Sequence, residues 1–253
     1  MARLSVAVVA YNSENEILNV LKSVENNTKK TEYSLTVIDN ASTDNTVNTV
    51  RSACPGVNII SAGENRGFGA GHNKMLGAHS VYHAVINPDI TFEGDVLSGL
   101  CDYLDRNPDV AMVTPQILNP DGTVQNLPKR KPTKRYMILG RLSRYIGALK
   151  GIRDEYTRAG ENITAPTEIE FCTGCFMVMR TELFNKVGGF DERFFMYLED
   201  ADLSDRIGQY GRIVYNPDFS VTHNWDGGSS KSFKLLKYHL KSMKMYFDKQ
   251  NSR

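Results

Sequence analysis

Over the first 117 residues, short apolar runs alternate with stretches of helical spacing. "RLSVAVVAY" (3–11), "YSLTVIDN" (33–40), "VNIISAG" (57–63), "VYHAVINPD" (81–89) and "VAMVTPQI" (110–117) are rich in β-branched residues and closed by polar or turn residues, which predicts strands. Between the first two, Ile17, Leu18, Leu21 and Val24 recur at three and four residues, which predicts a helix over 14–27. Further helices are expected over 43–52, 68–79 and 93–106, the last stopped by Asn107-Pro108. Strand and helix in regular alternation predict an α/β fold, with parallel strands covered by helices. Ligands of such sheets sit at the carboxyl ends of the strands, so the polar residues that close each run are the candidates for chemistry.

The alternation stops after residue 118. Residues 119–168 hold "NPDGT", "LPKRKP" and a basic stretch without strand periodicity, and are expected to run over the surface. A strand is predicted over 169–180, helices over 181–187 and 198–211, and two short strands in "RIVYNP" and "FSVTHN". In 231–253, Phe233, Leu236, Leu240, Met243 and Phe247 share one helical face and Lys234, Lys237, Lys241 and Lys244 another. This is either a docked terminal helix with a solvated lysine face or a helix lying on anionic lipid.

Composition bounds the class. With 253 residues, 41% hydrophobic and 23% charged, the chain has the make-up of a soluble globular protein large enough to bury a full core. Its longest apolar runs fall far short of a membrane span, and the start reads as a first strand, not a signal peptide. Cys54, Cys101, Cys172 and Cys175 are too few for a disulfide scaffold, which points to reduced thiols in the cytosol. Cys172 and Cys175 lie inside a strand signal and are expected to be small core residues, since one CxxC does not make a zinc site.

The net charge of +1 conceals an uneven distribution. Residues 129–158 carry +8 and residues 231–253 carry +6, which leaves −13 on the other 200 residues. Two basic segments on an acidic body suggest an anionic partner. A membrane surface fits better than nucleic acid, because neither segment contains a reading motif and the acidic body would repel phosphate.

The strand ends concentrate the chemistry. The first closes in Ala10-Tyr11-Asn12 with Glu14 behind, the second in Asp39-Asn40-Ala41-Ser42-Thr43-Asp44, the fourth in Asn87-Pro88-Asp89. Ser42 and Thr43 are also candidates to cap the following helix. Asp39 and Asp89 are costly to bury unless they meet a ribose, a base or a metal-bound diphosphate. "NRGFGAGHN" (65–73) opens a helix with alternating glycines, which would let backbone approach an anionic ligand. "FDERFFMYLEDADLSDRI" (190–207) sets Glu199-Asp200 beside an aromatic run, the pattern of a general base in a cleft. His223 precedes the single Trp, Trp225, and a Gly-Gly-Ser loop, and is balanced between a structural residue and a ligand.

"VVAYNSE", "VIDNASTDNT", "ENRGFGAGHN", "INPD", "CTGCFMVMR", "GGFDERFFMYLEDADLSDRI" and "THNWDGGSS" occur in this order across residues 3–229. The ordered set resembles glycosyltransferase family 2, the inverting nucleotide-sugar transferases of the GT-A fold, and most resembles the bacterial rhamnosyltransferases of surface-polysaccharide synthesis. The resemblance implies a mostly parallel central sheet flanked by helices. One domain would span 1–230, with a Rossmann-like nucleotide-sugar half (1–117) and an acceptor half (118–230) that includes the basic excursion, followed by the basic helix 231–253. It implies Asp200 as catalytic base with Glu199 in support. Ala10, Tyr11, Asn12, Glu14, Asp39, Asn40, Ser42, Asn65, Gly67, Asn73, Asn87 and Asp89 would line the nucleotide-sugar site, and Thr173, Gly174 and Trp225 the acceptor site. Asp89 and His223 would hold a divalent cation, Mn2+ or Mg2+, although the family's DxD is here Asn87-Pro88-Asp89, with one carboxylate missing. The implied partners are a nucleotide-sugar donor, dTDP-β-L-rhamnose or a UDP-hexose or UDP-N-acetylhexosamine, and a polyprenyl-diphosphate-linked saccharide met on the inner face of the cell membrane, for cell-wall, capsule or O-antigen polysaccharide. The non-enzymatic alternative is an inactive nucleotide-sugar-binding module, against which Asp89, Asp200 and His223 all stand.

Overall fold

The computed structural model describes residues 2–125, 128–143, 145–224 and 233–252. Its centre is β1 (Leu4–Ala10), buried at all seven positions because helices cover both faces of the sheet there. β2 (Tyr33–Asp39) and β4 (Tyr82–Ile86) flank β1 in parallel, and β3 (Asn58–Ser61) adds outside β2. The crossovers run through α1 (Ile17–Asn27), α2 (Thr46–Ala53) and α3 (Phe68–His72). Beyond β4 lie β5 (Ile90–Thr91), α4 (Val96–Arg106) and β6 (Val110–Leu118), and with β8 (Phe176–Arg180) and β9 (Arg212–His223) the sheet runs β3-β2-β1-β4-β8-β6-β9-β5. This is the mixed α/β architecture that the alternation predicts, with most pairings in the first half parallel.

Three features of the second half differ from the sequence expectation. The excursion contains two helices, α5 (Lys134–Leu142) and α6 (Lys150–Thr157), and a short strand, β7 (Thr167–Glu168). The strand expected over 169–180 is confined to β8 (Phe176–Arg180), inserted antiparallel between β4 and β6. The two short strands near the end are one, β9 (Arg212–His223), parallel to β6 with a register shift at Pro115/Gln116. α7 (Thr181–Lys186), α8 (Glu199–Ile207) and α9 (Phe233–Asn251) complete the described chain.

The alternation of side chains divides the core. Val6, Val8, Ala84, Ile86, Phe176 and Val178 face α1 and α4, while Val85, Met112, Met177 and Met179 meet Phe184, Phe190, Leu203 and Ile207 on the opposite side. A smaller core under α9 gathers Met137, Phe171, Phe194, Leu198, Ala201 and Tyr246. The four cysteines are buried and free, as expected of small core residues. α9 does not divide as its spacing suggests. Its docked stripe is Tyr238, which stacks on Phe195, and Ser242, Tyr246 and Lys249, which bond to Met196 O, Asp205 and Asp202 respectively. Met243 and Phe247 pack against the small core, whereas Phe233 and Leu240 are exposed.

Two histidines lie wholly inside the second core. His83 on β4 meets Ser5 Oγ at 2.8 Å through Nδ1 and packs on Phe184. His72 is enclosed by Phe68 and Phe190, and neither of its ring nitrogens has a hydrogen-bond partner among the described residues. Burial depresses both, His83 to about 4 from an ordinary 6.5. Both rings are therefore neutral in the fold. Below pH 6.5 the unfolded chain takes up protons that the folded chain refuses, so stability should fall as the pH drops from about 7 towards 4. For His83 alone the full depression corresponds to about 3 kcal/mol. The melting temperature should drop between pH 7 and pH 5, and in His83→Gln it should drop less. Equal slopes in the two chains would refute the assignment.

Candidate active site

The loops after β1 and β2 are stitched together at the carboxyl edge of the sheet. The Asn40 N–H donates to Ala10 O (2.9 Å), and Asp39 Oδ1 accepts from the Ser42 N–H (3.1 Å). Asn12 sits at φ 51°, a left-handed conformation that asparagine tolerates. Its Oδ1 accepts from the Thr43 N–H (2.8 Å), and its own N–H donates to Ser42 Oγ (3.0 Å). Ser42 and Thr43 therefore do not cap α2. The Asn45 N–H at that helix start donates instead to Glu14 Oε2 (2.8 Å). The result is a shelf on which Tyr11 stays half-exposed above the buried Asp39.

The glycine run meets protein rather than open space. Gly67 has φ 102°, and a Cβ there would lie 2.2 Å from Phe195 O. The Phe68 N–H donates to that carbonyl, and Asn40 Nδ2 donates to Gly67 O (3.0 Å). Gly71 lets α3 approach Val9 on β1. Asn65 Oδ1 turns the loop by accepting from the Gly67 N–H (3.0 Å). The glycines thus bring α3 against both the sheet and the 190–197 loop. Asn73 has a bracing task as well: Nδ2 donates to Phe190 O (2.9 Å) and Oδ1 accepts from the Phe190 N–H (2.8 Å). Asn40, Ala70 and Asn73 still wall a hollow of about 140 Å³ with Arg66 and Glu192.

Asp89 and His223 are brought together by strand register. Ile90 of β5 pairs with His223 of β9, and the Asn224 N–H donates to Asp89 O (2.9 Å). His223 Nε2 lies 3.3 Å from Asp89 Oδ1. Both atoms are buried, and apart from this contact neither has a hydrogen-bond partner among the described residues. A carboxylate oxygen and an imidazole nitrogen at this separation fit two adjacent positions around one divalent cation. No cluster of three or more metal-binding side chains occurs among the described residues. Asn87 forms the turn before Asp89, its N–H donating to Cys175 O (2.9 Å).

The acidic pair is placed by backbone strain. Tyr197 (φ 72°) and Leu198 (φ 66°) are consecutive left-handed residues immediately before α8. They turn the chain so that Glu199 and Asp200 begin the helix facing the loop before β8. Asp200 Oδ2 accepts from the Gly174 N–H (3.1 Å) and Oδ1 from the Ala201 N–H (2.8 Å). Thr173 stands beside Gly174 in the same loop. Glu199 is buried, and its Oε2 has no hydrogen-bond partner among the described residues. Burial first, and the charge of Asp200 second, push Glu199 up to about 8. Burial also raises Asp200, but its two N–H donors and the cation of Lys129 oppose the rise. Near neutrality Glu199 holds its proton, and Asp200 is the member equipped to be an anion.

Sequence reading missed Lys129, which lies in the excursion. Lys131 anchors that segment, through Nζ to Asp205 (2.7 Å) and through its N–H to Glu170 (2.8 Å). Lys129 Nζ sits 5.9 Å from the centre of the Tyr156 ring, and its charge acts on both Asp200 and Cys175. The "LPKRKP" run gave only a charge count, with no sign that one of its cations faces the cleft. Trp225 lies outside the described residues.

Comparison with known proteins matches residues 5–188 to the model for glycosyl transferase family 2, and residues 155–224 to one described as the N-terminal domain of galactosyltransferase. An N-acetylglucosaminyl-diphospho-decaprenol L-rhamnosyltransferase of Mycobacterium tuberculosis is 29% identical over 236 residues, covering 87% of this chain and 76% of the relative. The rhamnosyltransferase WbbL of Escherichia coli is 39% identical over 89 residues, 34% of this chain and 33% of WbbL. The solved mannosyltransferase PcManGT of Pyrobaculum calidifontis, in complex with GDP-Man and Mn2+, has the same fold, with a TM-score of 0.61 at 18% identity over 90% of this chain and 58% of that one.

The electrostatics around Asp200 generate a direct test. Lys129→Met removes a cation that favours the Asp200 carboxylate, so the carboxylate should titrate at higher pH than in the parent. Carbon-13 NMR of labelled aspartates reads this shift, and an unchanged titration would show that Lys129 has no hold on Asp200.

Proposed function

The chain belongs to glycosyltransferase family 2, and from that membership we propose that it transfers L-rhamnose from dTDP-β-L-rhamnose to a polyprenyl-diphosphate-linked saccharide. The sugar is supported by the mycobacterial and Escherichia coli relatives, both rhamnosyltransferases, and the acceptor by the mycobacterial one. The reading of the chemistry is carried by one observation: of two adjacent carboxyls, Asp200 is the one that accepts from both the Gly174 and Ala201 N–H groups and is favoured as an anion by Lys129, whereas burial pushes Glu199 up to about 8.

In this proposal, Ala10, Tyr11, Asn12, Asp39, Asn40 and Ser42 frame the nucleoside, with Glu14 fixing the far loop. Asn65 and Gly67 set the loop along its flank, and Asn87 sets the turn that presents Asp89. Asp89 and His223 hold Mn2+ or Mg2+, which when bound stabilises negative charge on the donor's diphosphate. Thr173 and Gly174 border the acceptor, and Trp225, outside the described residues, is assigned to the same site by the resemblance alone. Asp200 takes the proton of the acceptor hydroxyl as its oxygen bonds to the anomeric carbon. The bond from that carbon to the diphosphate breaks, and dTDP leaves with both electrons. A single displacement inverts the anomeric centre. Glu199, protonated beside the base, adds no second negative charge to repel the leaving diphosphate. The work is placed at the cytoplasmic face of the cell membrane, where a polyprenyl-linked acceptor is met. No described helix is long and apolar enough to cross that membrane.

The test is release of dTDP from dTDP-β-L-rhamnose, compared with UDP release from UDP-galactose, UDP-glucose and UDP-N-acetylglucosamine. The match over residues 155–224 to a galactosyltransferase domain makes UDP-galactose the leading rival donor. Turnover should be highest with the rhamnosyl donor, and preference for a UDP-sugar would overturn that part of the reading. Asp200→Asn should keep donor binding while turnover falls at least a hundredfold, the lower range for a lost general base. Chelation should lower turnover of the parent, and Mn2+ should restore it; full activity in chelator would remove the cation from the reaction.

A further inference from the structure

α5 and α9 run antiparallel to one another. Lys134, at the start of α5, lies 5.9 Å from the ring centre of Phe247 near the end of α9. Met137 shares a core with Tyr246, and the charge of Arg141, at the end of α5, acts on His239 in the second turn of α9. Leu142, Tyr145 and Ile146 therefore fall beside the first turns of α9. Ile138, Leu142, Tyr145 and Ile146 are all exposed, Tyr145 by 86%. On α9, Phe233 is 92% exposed and Leu240 also faces solvent. Six of the eleven exposed large hydrophobic residues of the described chain lie in these two short segments.

The same end is cationic. Lys237, Lys241 and Lys244 share the solvent face of α9 with Phe233 and Leu240, at three- and four-residue spacing, and Lys134 and Lys150 are exposed on the α5–α6 side. The opposite face of α9 is occupied. Tyr238 stacks on Phe195 at 4.5 Å and His239 meets Tyr197 edge-on at 5.3 Å, within the loop that leads to Asp200.

We propose that the end of α5, the turn to residue 149 and the first two turns of α9 form one surface that inserts Leu142, Tyr145, Ile146, Phe233 and Leu240 into an anionic bilayer, with their lysines on the lipid phosphates. The proposal rests on the reading of a lipid-linked acceptor and names the surface that meets its lipid. Apolar side chains ringed by cations are the chemistry of an interfacial anchor: anionic headgroups attract the lysines, and the acyl boundary takes the exposed rings. Because the other face of α9 holds the loop before Asp200, insertion would set the base next to an acceptor standing in the membrane.

The experiment is co-sedimentation of the full chain with vesicles of phosphatidylcholine and phosphatidylglycerol, with phosphatidylcholine vesicles as reference. The wild type should bind the mixed vesicles and lose affinity as salt rises. Tyr145→Ser/Phe233→Ser, which alters two exposed side chains, should bind at least tenfold more weakly, and Lys237→Gln/Lys241→Gln should lose most of the phosphatidylglycerol preference. On a short-chain, water-soluble acceptor the Tyr145→Ser/Phe233→Ser chain should turn over as fast as wild type, and on a vesicle-borne acceptor more slowly. Absence of wild-type binding at low salt, or equal binding by wild type and Tyr145→Ser/Phe233→Ser, would overturn the surface. So would a wild-type dimer that this variant dissociates and that vesicles do not sediment, since a second copy would then cover the patch. Vesicle binding without turnover of dTDP-rhamnose would instead remove the donor reading and leave the surface standing.

Discussion

Two adjacent residues, Tyr197 and Leu198, adopt a backbone conformation that L side chains avoid, and the geometry of Asp200 depends on their staying there. Each left-handed residue costs about 1–2 kcal/mol, so the turn needs support from outside itself. Ser242 Oγ of α9 donates to Met196 O (2.8 Å), Tyr238 stacks on Phe195, and His239 packs on Tyr197. α9 is fastened in turn by a buried ion network. Asp202, fully buried on α8, meets Arg206 at 2.9 Å and Lys249 of α9 at 2.6 Å, and Lys249 also reaches Asp191. Breaking such a pair by removing one partner is far more damaging than never having built it, because the remaining charge stays buried. The last helix is thus part of the machinery that positions Asp200, although it lies after every recognisable motif.

That support explains how two neighbouring carboxyls acquire different characters. Asp200 points towards the β8 loop and collects two N–H donors, whereas Glu199 points inward and leaves an oxygen without a hydrogen-bond partner among the described residues. With burial acting on both, hydrogen bonds and Lys129 decide which one ionises first. The glycines of α3 serve the same end. By admitting Phe195 O within contact of Gly67, they press the strained loop against the sheet from the side opposite α9.

The first half of the fold was legible because its contacts are local in pattern. A parallel strand buried on both faces shows as an apolar run, and its crossover helix shows as period 3.6. The second half was less so. Nothing in "FMVMR" states that it will insert antiparallel between β4 and β6, because strand order is set by pairings more than sixty residues apart. The excursion helices were hidden by their own polarity, since α6 has no fully buried residue. At the site, the carboxylates were found by their place at strand and helix ends, and Asp89 with His223 emerged as a close pair. The packing that the glycines and Asn73 serve was not legible, because close backbone packing and ligand approach leave the same mark on a sequence. Lys129 and Lys249 were counted only as charge, since an interior cation and a solvated one are spelled alike.

That last ambiguity alters what the basic segments can do. The sequence assigns +14 to them, but the fold neutralises part of it internally. Lys131 pairs with Asp205, Arg130 and Arg158 with Glu161, Arg135 with Glu155, and Lys249 with Asp191 and Asp202. Part of the basic excess is therefore mortar between α5, α6, α8 and α9 rather than a free electrostatic field. Each cation left on the solvent face contributes about 1 kcal/mol near an anionic surface. Charge alone would give such a face only weak and strongly salt-dependent attachment. The exposed rings and aliphatic chains between the lysines supply the component that salt does not screen, which is why the apolar residues, rather than the net charge, define the surface.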